Sequence, residues 1–304
     1  MRHVITRRRA IRVLSAASIG AWSTAAYKSW NLSLATKRLI GESPAPTLAP
    51  GTPNSPERRA LIDAFTKQSD GLEKKYEART HKSDLVMPYR LFRPEASGKL
   101  PLVVYLSGSG GLGTDNLRQL GLGNVFGTRV WLLPENQKRF PCYVVAPQTD
   151  RGWVKYDVSN GIDFAKLIPG LGDGARLAFE IVEHLCQEFP IDRSRIYVTG
   201  QSMGGSGTWH MTAHRPKFFA AAVPLCGADT AEDPVQSMGT PMWNFHGAAD
   251  QNVPVELSRD RIAALRKAGG QPIYTEYAGV EHNVWEWAYT EPELPKWLFS
   301  QRRS

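Results

Sequence analysis

The chain has 304 residues, 42% hydrophobic and 22% charged, the composition of an ordinary soluble globular protein with room for one large domain and a substantial core. Its net charge of +8 does not mark a nucleic-acid binder. Arg2, Arg7, Arg8, Arg9 and Arg12 supply five positive charges before residue 25, where no acid lies, and the remaining +3 is spread over a surface of alternating signs.

The N-terminus reads as a targeting segment, residues 1–26. Thr6-Arg7-Arg8-Arg9-Ala10-Ile11-Arg12 resembles the twin-arginine export motif, and Val13–Ala26 is weakly apolar and uncharged. Fourteen residues are too few to cross a bilayer, for which about 20 are needed, so no stable span is expected after processing. The expected location is therefore periplasmic or secreted, with membrane anchoring if the signal stays uncleaved; the alternative is a basic tail. Residues 27–56 read as a linker, since GESPAPTLAPGTPNSP (41–56) carries five prolines and no periodicity. Residues 57–304 form the expected catalytic domain.

Pro56 to about Tyr76 predicts a helix, with Leu61, Ala64 and Phe65 on one side. Short apolar runs then predict strands at Tyr89–Phe92, Leu102–Leu106, Tyr143–Ala146, Ile196–Thr199, Ala221–Leu225, Met242–Phe245 and Ile273–Tyr277. Several are continuous rather than alternating, as in strands covered on both faces of a parallel sheet. Helical spacing recurs between them in Arg176–Phe189 and in Ser258–Lys267, with Gly269 as a C-terminal stop. Strand alternating with helix predicts an α/β fold with a mostly parallel sheet and helices on both faces. The stretches 116–140 and 151–172 interrupt this rhythm and are expected to be irregular insertions. Cys142, Cys186 and Cys226 have no metal-ligand spacing and read as buried thiols, or as one disulfide and an odd thiol in an exported chain.

Gly200-Gln201-Ser202-Met203-Gly204 follows the strand Ile196–Thr199. In G-x-S-x-G after a strand, the serine occupies a strained turn into a helix, and the glycines avoid collisions with neighbouring backbone. A serine hydroxyl is a weak nucleophile and needs a base, and the base needs an orienting acid. Asp250, in the turn after Met242–Phe245, is the first choice of acid, ahead of Asp229 and Asp233 near the end of the preceding strand. Among seven histidines, only His282 lies in a glycine-flanked loop after the last strand, so it is the candidate base. His246, ending a strand beside Gly247, reads as a hydrogen-bonded structural residue. Acyl transfer also needs fixed N–H donors for the developing oxyanion. The Met203 amide is one candidate; the Ser109 amide, in the glycine-rich loop after Leu102–Leu106, is the other. That loop lacks a following Gly-Lys-Ser/Thr and dinucleotide spacing, so no phosphate site, metal or cofactor is expected. Trp153, Gln201, Trp285 and Trp287 are candidates for lining the substrate cleft, core packing being the alternative for the tryptophans.

These stretches resemble the α/β-hydrolase superfamily, in particular its bacterial phospholipase/carboxylesterase-like and "predicted peptidase" branch, related to polyhydroxybutyrate-depolymerase-like and feruloyl-esterase-like enzymes. The resemblance is carried by MPYRLFRPEASGKLPLVVYLSGSGGLGTDN (87–116), VVAPQ (144–148), IDRSRIYVTGQSMGGSGTW (191–209), KFFAAAVPLCG (217–227), FHGAADQNVP (245–254) and GVEHNVWEWAY (279–289). It implies an α/β-hydrolase fold, a triad of Ser202, Asp250 and His282, and oxyanion donors at Ser109 and Met203. Two positions depart from the family pattern: Ser107 stands where a loop-bracing His is usual, and Gly111-Leu112 where an acidic-basic pair is usual. The implied activity is exported serine hydrolysis of small or polymeric carboxylic esters. A serine peptidase on small peptides is the first alternative, disfavoured as an oligopeptidase because no propeller-type domain precedes residue 87. A non-catalytic binding relative is the second.

Overall fold

The computed structural model describes residues 55–156, 167, 168, 170–228 and 234–303. The expected leader, all but the last two residues of the expected linker, and the alternative acids Asp229 and Asp233 lie outside the described residues. In chain order the elements are α1 (Pro56–Ser69), β1 (Glu77–Lys82), β2 (Val86–Phe92), β3 (Leu100–Leu106), α2 (Val125–Arg129), α3 (Pro134–Arg139), β4 (Tyr143–Pro147), β5 (Lys155–Tyr156), β6 (Leu167–Ile168), α4 (Asp173–Glu188), β7 (Ile191–Gln201), α5 (Met203–His214), β8 (Ala221–Leu225), β9 (Trp243–Gly247), α6 (Val255–Lys267), β10 (Ile273–Tyr277), α7 (Trp285–Ala288) and α8 (Glu293–Ser300).

Eight strands form one sheet in the order β1-β2-β4-β3-β7-β8-β9-β10. β2 pairs antiparallel with both β1 and β4, and every pairing from β4 to β10 is parallel. The mostly parallel sheet expected from the continuous apolar runs is present, and all seven predicted strands lie in it. Side chains of β3 explain those runs. Leu102, Val104 and Leu106 enter one core with Phe179, Ile181 and Leu185 of α4 and Ile262 and Leu265 of α6. Val103 and Tyr105 enter a second core with Trp131, Tyr289, and Leu294 and Leu298 of α8. A strand with helices on both faces has no polar side to show.

Two expectations are corrected. The first helix ends at Ser69, because Gly71 takes a left-handed φ of 76° and a separate 3-10 turn, Leu72–Lys75, follows. Its inward face carries Arg58 and Phe65, whereas Leu61 and Ala64 are exposed. Arg58 is tolerated inside because its guanidinium donates to Tyr277 Oη and the Trp287 carbonyl and lies 3.3 Å from a Glu291 carboxylate oxygen. β1 went unpredicted: Glu-Ala-Arg-Thr-His-Lys is an edge strand without apolar signal.

No helix among the described residues is long and apolar enough to cross a membrane. All three cysteines are free thiols, Cys142 and Cys226 buried and Cys186 half-buried.

Phe179 is fully buried, its ring centroid 5.0 Å from that of Phe218 and 5.8 Å from that of Phe219. Phe179→Ala is expected to lower the unfolding free energy by about 3–5 kcal/mol in urea titrations followed by tryptophan fluorescence.

Candidate active site

The parallel strands end on one edge of the sheet, and the loops leaving that edge carry the candidate residues. Ser202 directly follows β7 and caps α5. Its backbone has φ 55° and ψ −120°, a conformation that costs an L-residue energy and persists only when its surroundings fix it. They do so here: the Ser202 N–H donates to the Leu225 carbonyl of β8 (2.9 Å), and the Ser202 carbonyl accepts from the Ser206 N–H (3.0 Å). Tight packing supplies the rest. A Cβ on Gly200 would fall 2.5 Å from the Gly204 carbonyl oxygen and 2.6 Å from that of Leu106, and a Cβ on Gly204 would overlap the same Leu106 oxygen. The glycines are thus required by backbone proximity, as the G-x-S-x-G spacing predicts.

Asp250 sits after β9, 7% exposed. Its Oδ1 accepts from the Asn252 N–H (2.8 Å) and the Val253 N–H (2.9 Å), which points Oδ2 at the next loop. His282 Nδ1 lies 2.7 Å from that Oδ2, and His282 Nε2 lies 2.8 Å from Ser202 Oγ. The two loops are pinned together by Ala248 N–H on the Tyr277 carbonyl and Ala249 N–H on the Val280 carbonyl, both 2.9 Å. Burial alone would raise the Asp250 carboxyl; hydrogen bonds from His246 and His282 outweigh it and hold the group well below the usual carboxylate range. An ionised carboxylate only accepts, so Nδ1 of His282 carries a hydrogen, and in the neutral ring Nε2 is then the nitrogen that can accept from the Ser202 hydroxyl.

His246 is, as expected, a buried hydrogen-bonded residue, but its position against the acid was not foreseen. Its Nε2 lies 2.9 Å from the Val253 carbonyl and 3.2 Å from Asp250 Oδ2, both acceptors, so Nε2 carries a hydrogen. Nδ1 faces the Ser258 hydroxyl at 2.7 Å. His246 therefore supports the same Asp250 oxygen that faces His282.

The two candidate oxyanion donors flank Ser202. Met203 is the first residue of α5, and Ser109 the first of the 3-10 turn Ser109–Gly111; first-turn amides have no intrahelical acceptor. A Cβ on Gly108 would sit 3.7 Å from Ser202 Cβ, which brings the Ser109 loop against the serine. Where a loop-bracing His is usual, the Ser107 side chain is buried, its hydroxyl without a partner. Bracing falls instead to three other side chains. Trp153 Nε1 donates to the Ser107 carbonyl (2.8 Å), Asn124 Oδ1 accepts from the Gly108 N–H (3.0 Å), and Gln148 Nε2 donates to the Gly111 carbonyl (3.2 Å).

This corrects two candidate lining residues. Trp153 is fully buried under the loop, and Gln201, 2% exposed, is turned inward to the Gly123 carbonyl (2.9 Å). Trp285 is half-buried and stands edge-on to His282, ring centroids 5.5 Å apart, and Trp287 is likewise half-buried. Among the described residues, Cys226, Asp250 and His282 form the group with metal-ligand atoms within 4.8 Å of one another. Burial, and then the Asp250 charge, push the Cys226 thiol well above its ordinary value, and the other two members already bond each other, so the set suits a metal poorly.

A model of the prolyl oligopeptidase family (peptidase S9) matches residues 178–232. The solved structure of a thermostable esterase aligns with a TM-score of 0.70 and 36% identity, covering 76% of this chain and 64% of that one. An uncharacterized secreted protein of Arthroderma benhamiae is 26% identical over 241 residues, 65% of this chain and 24% of that protein. Poly(3-hydroxyalkanoate) depolymerase C of Paucimonas lemoignei is 33% identical over 97 residues, 32% of this chain and 23% of that protein. The chain thus spans about a quarter of the length of these two relatives.

Gly204→Ala is expected to cost roughly 3 kcal/mol of stability or more, since backbone, not a mobile side chain, meets the added methyl. Urea titration measures the loss. His246→Phe is expected to lower kcat at least ten-fold, and His246→Gln, which keeps an N–H near Oδ2, to recover most of it; steady-state kinetics on a nitrophenyl ester checks both.

Proposed function

We propose that this chain, an esterase-like α/β-hydrolase, is a serine hydrolase that cleaves carboxylic esters through an acyl-enzyme. The observation that carries the reading is the continuous set of hydrogen bonds from Ser202 Oγ through His282 to Asp250, at 2.8 and 2.7 Å, beside two amides at element starts. Ser202 Oγ attacks the ester carbonyl carbon while His282 Nε2 takes its proton. Asp250 holds the imidazole in the required tautomer and stabilises the cation. The Ser109 and Met203 amides receive the oxyanion, each worth a few kcal/mol. His282 then gives its proton to the departing alkoxide. A water, deprotonated by the same nitrogen, releases the acid and restores Ser202.

A peptide bond is the second reading, favoured by the prolyl oligopeptidase match over residues 178–232. The chemistry is the same up to the leaving amine. Export is part of the proposal: the arginine-rich start of the chain and the secreted relative from Arthroderma benhamiae support it.

Purified protein is expected to hydrolyse a short-chain nitrophenyl ester and to take up a fluorophosphonate on Ser202. Ser202→Ala is expected to abolish both, and unchanged turnover in that variant refutes the assignment. Asp250→Asn is expected to reduce kcat by roughly three to four orders of magnitude through loss of the correct tautomer. Faster turnover of a small peptide amide than of the matching ester replaces the esterase reading with the peptidase one.

A further inference from the structure

Between β3 and α2 the chain folds over the serine in short turns, and one residue there breaks two rules at once. Leu122 is 76% exposed and has a φ of 49°. Left-handed backbone is costly for a bulky side chain, and exposure this high returns little of the apolar gain that would offset it. The conformation is imposed from both sides. Gly123, the next residue, accepts from Gln201 Nε2, and the Asn124 N–H donates to the Gly121 carbonyl (3.0 Å), closing the turn around Leu122. Glycine occupies both neighbouring positions, yet the position that would gain most from glycine holds leucine.

Its surroundings say what the leucine is for. Leu122 Cδ1 lies 3.5 Å from where a Cβ on Gly110 would sit, directly after the Ser109 amide. Trp285 Cζ2 lies 3.0 Å from the same point on Gly123, and that indole stands against His282. An exposed aliphatic side chain therefore reaches the loop of the candidate oxyanion amide, and a half-buried indole reaches His282. Strained residues of this kind collect at ligand clamps.

We infer that Leu122 and Trp285 form an apolar wall for the substrate, so that the preferred esters carry an apolar group of at least phenyl size beside the scissile bond. This rests on the serine esterase reading and adds the substrate class to it. The same wall serves an apolar acyl group or an apolar alcohol, and the substrates below separate the two.

The test uses methyl acetate, benzyl acetate and methyl 3-phenylpropionate, with kcat/KM corrected for each ester's alkaline hydrolysis rate. The wild-type chain is expected to favour at least one aromatic ester over methyl acetate about ten-fold or more. Benzyl acetate as the favoured one places the alcohol on the wall; the phenylpropionate places the acyl group there. Leu122→Gly and Leu122→Asn are expected to shrink that preference about ten-fold, the scale of one leucine's contact with an apolar group. Both residues adopt positive φ readily, so the melting temperature is expected to hold or rise, unlike the loss that a structural leucine would give. An undiminished preference in both folded variants overturns the inference. Equal turnover of the three esters by the wild type overturns it alone and leaves the esterase reading standing; turnover of none overturns both.

Discussion

The backbone of Ser202 is held in a conformation that is costly for an L-residue, and the site is arranged around that restraint. With φ at 55° the chain leaves β7 and enters α5 in a single residue, so that Met203 opens the helix directly after the serine. The restraint is shared by three strands: Leu225 of β8 accepts from the serine amide, and Leu106 of β3 lies against the glycines on either side of it. Central strands buried on both faces supply that rigidity, which is why the elbow sits mid-sheet rather than at an edge.

Asp250 is the counterpart in electrostatics. A carboxylate 7% exposed costs free energy unless every lone pair is used. Two backbone amides of its own turn, one imidazole from β9 and one from the loop after β10 meet that need. The charge is thereby kept at the far side of His282 from the serine. The neighbouring Cys226 thiol, raised by burial and by this same charge, stays protonated beneath them.

Much of this was legible in the sequence, and the gaps have physical causes. β3, β4 and β8 are apolar throughout because both faces are covered, so their runs were plain. β1 was missed because an edge strand need not be apolar, and the inner face of α1 was misread because Arg58 is neutralised by Glu291, a residue near the other end of the chain. Ser202, Asp250 and His282 stood out because each lies just past a readable strand, and the structure brings those three strand ends to one edge. His246, Trp153, Asn124 and Gln148 did not, because a supporting role depends on which distant loop lies within reach, and no local pattern encodes that. Leu122 carries no signal at all in a string of letters: its meaning comes from a dihedral angle and an exposure.

β1 also bears on how the molecule meets its own copies. On its inward side Arg79 makes two hydrogen bonds to Glu188 and His81 one to Glu180, which ties both side chains to α4. A strand arriving from outside would have to lie along this polar border, where sheet extension gains little apolar contact. Crowded solutions of the folded chain are thereby protected, at that end of the sheet, from fibre-like growth.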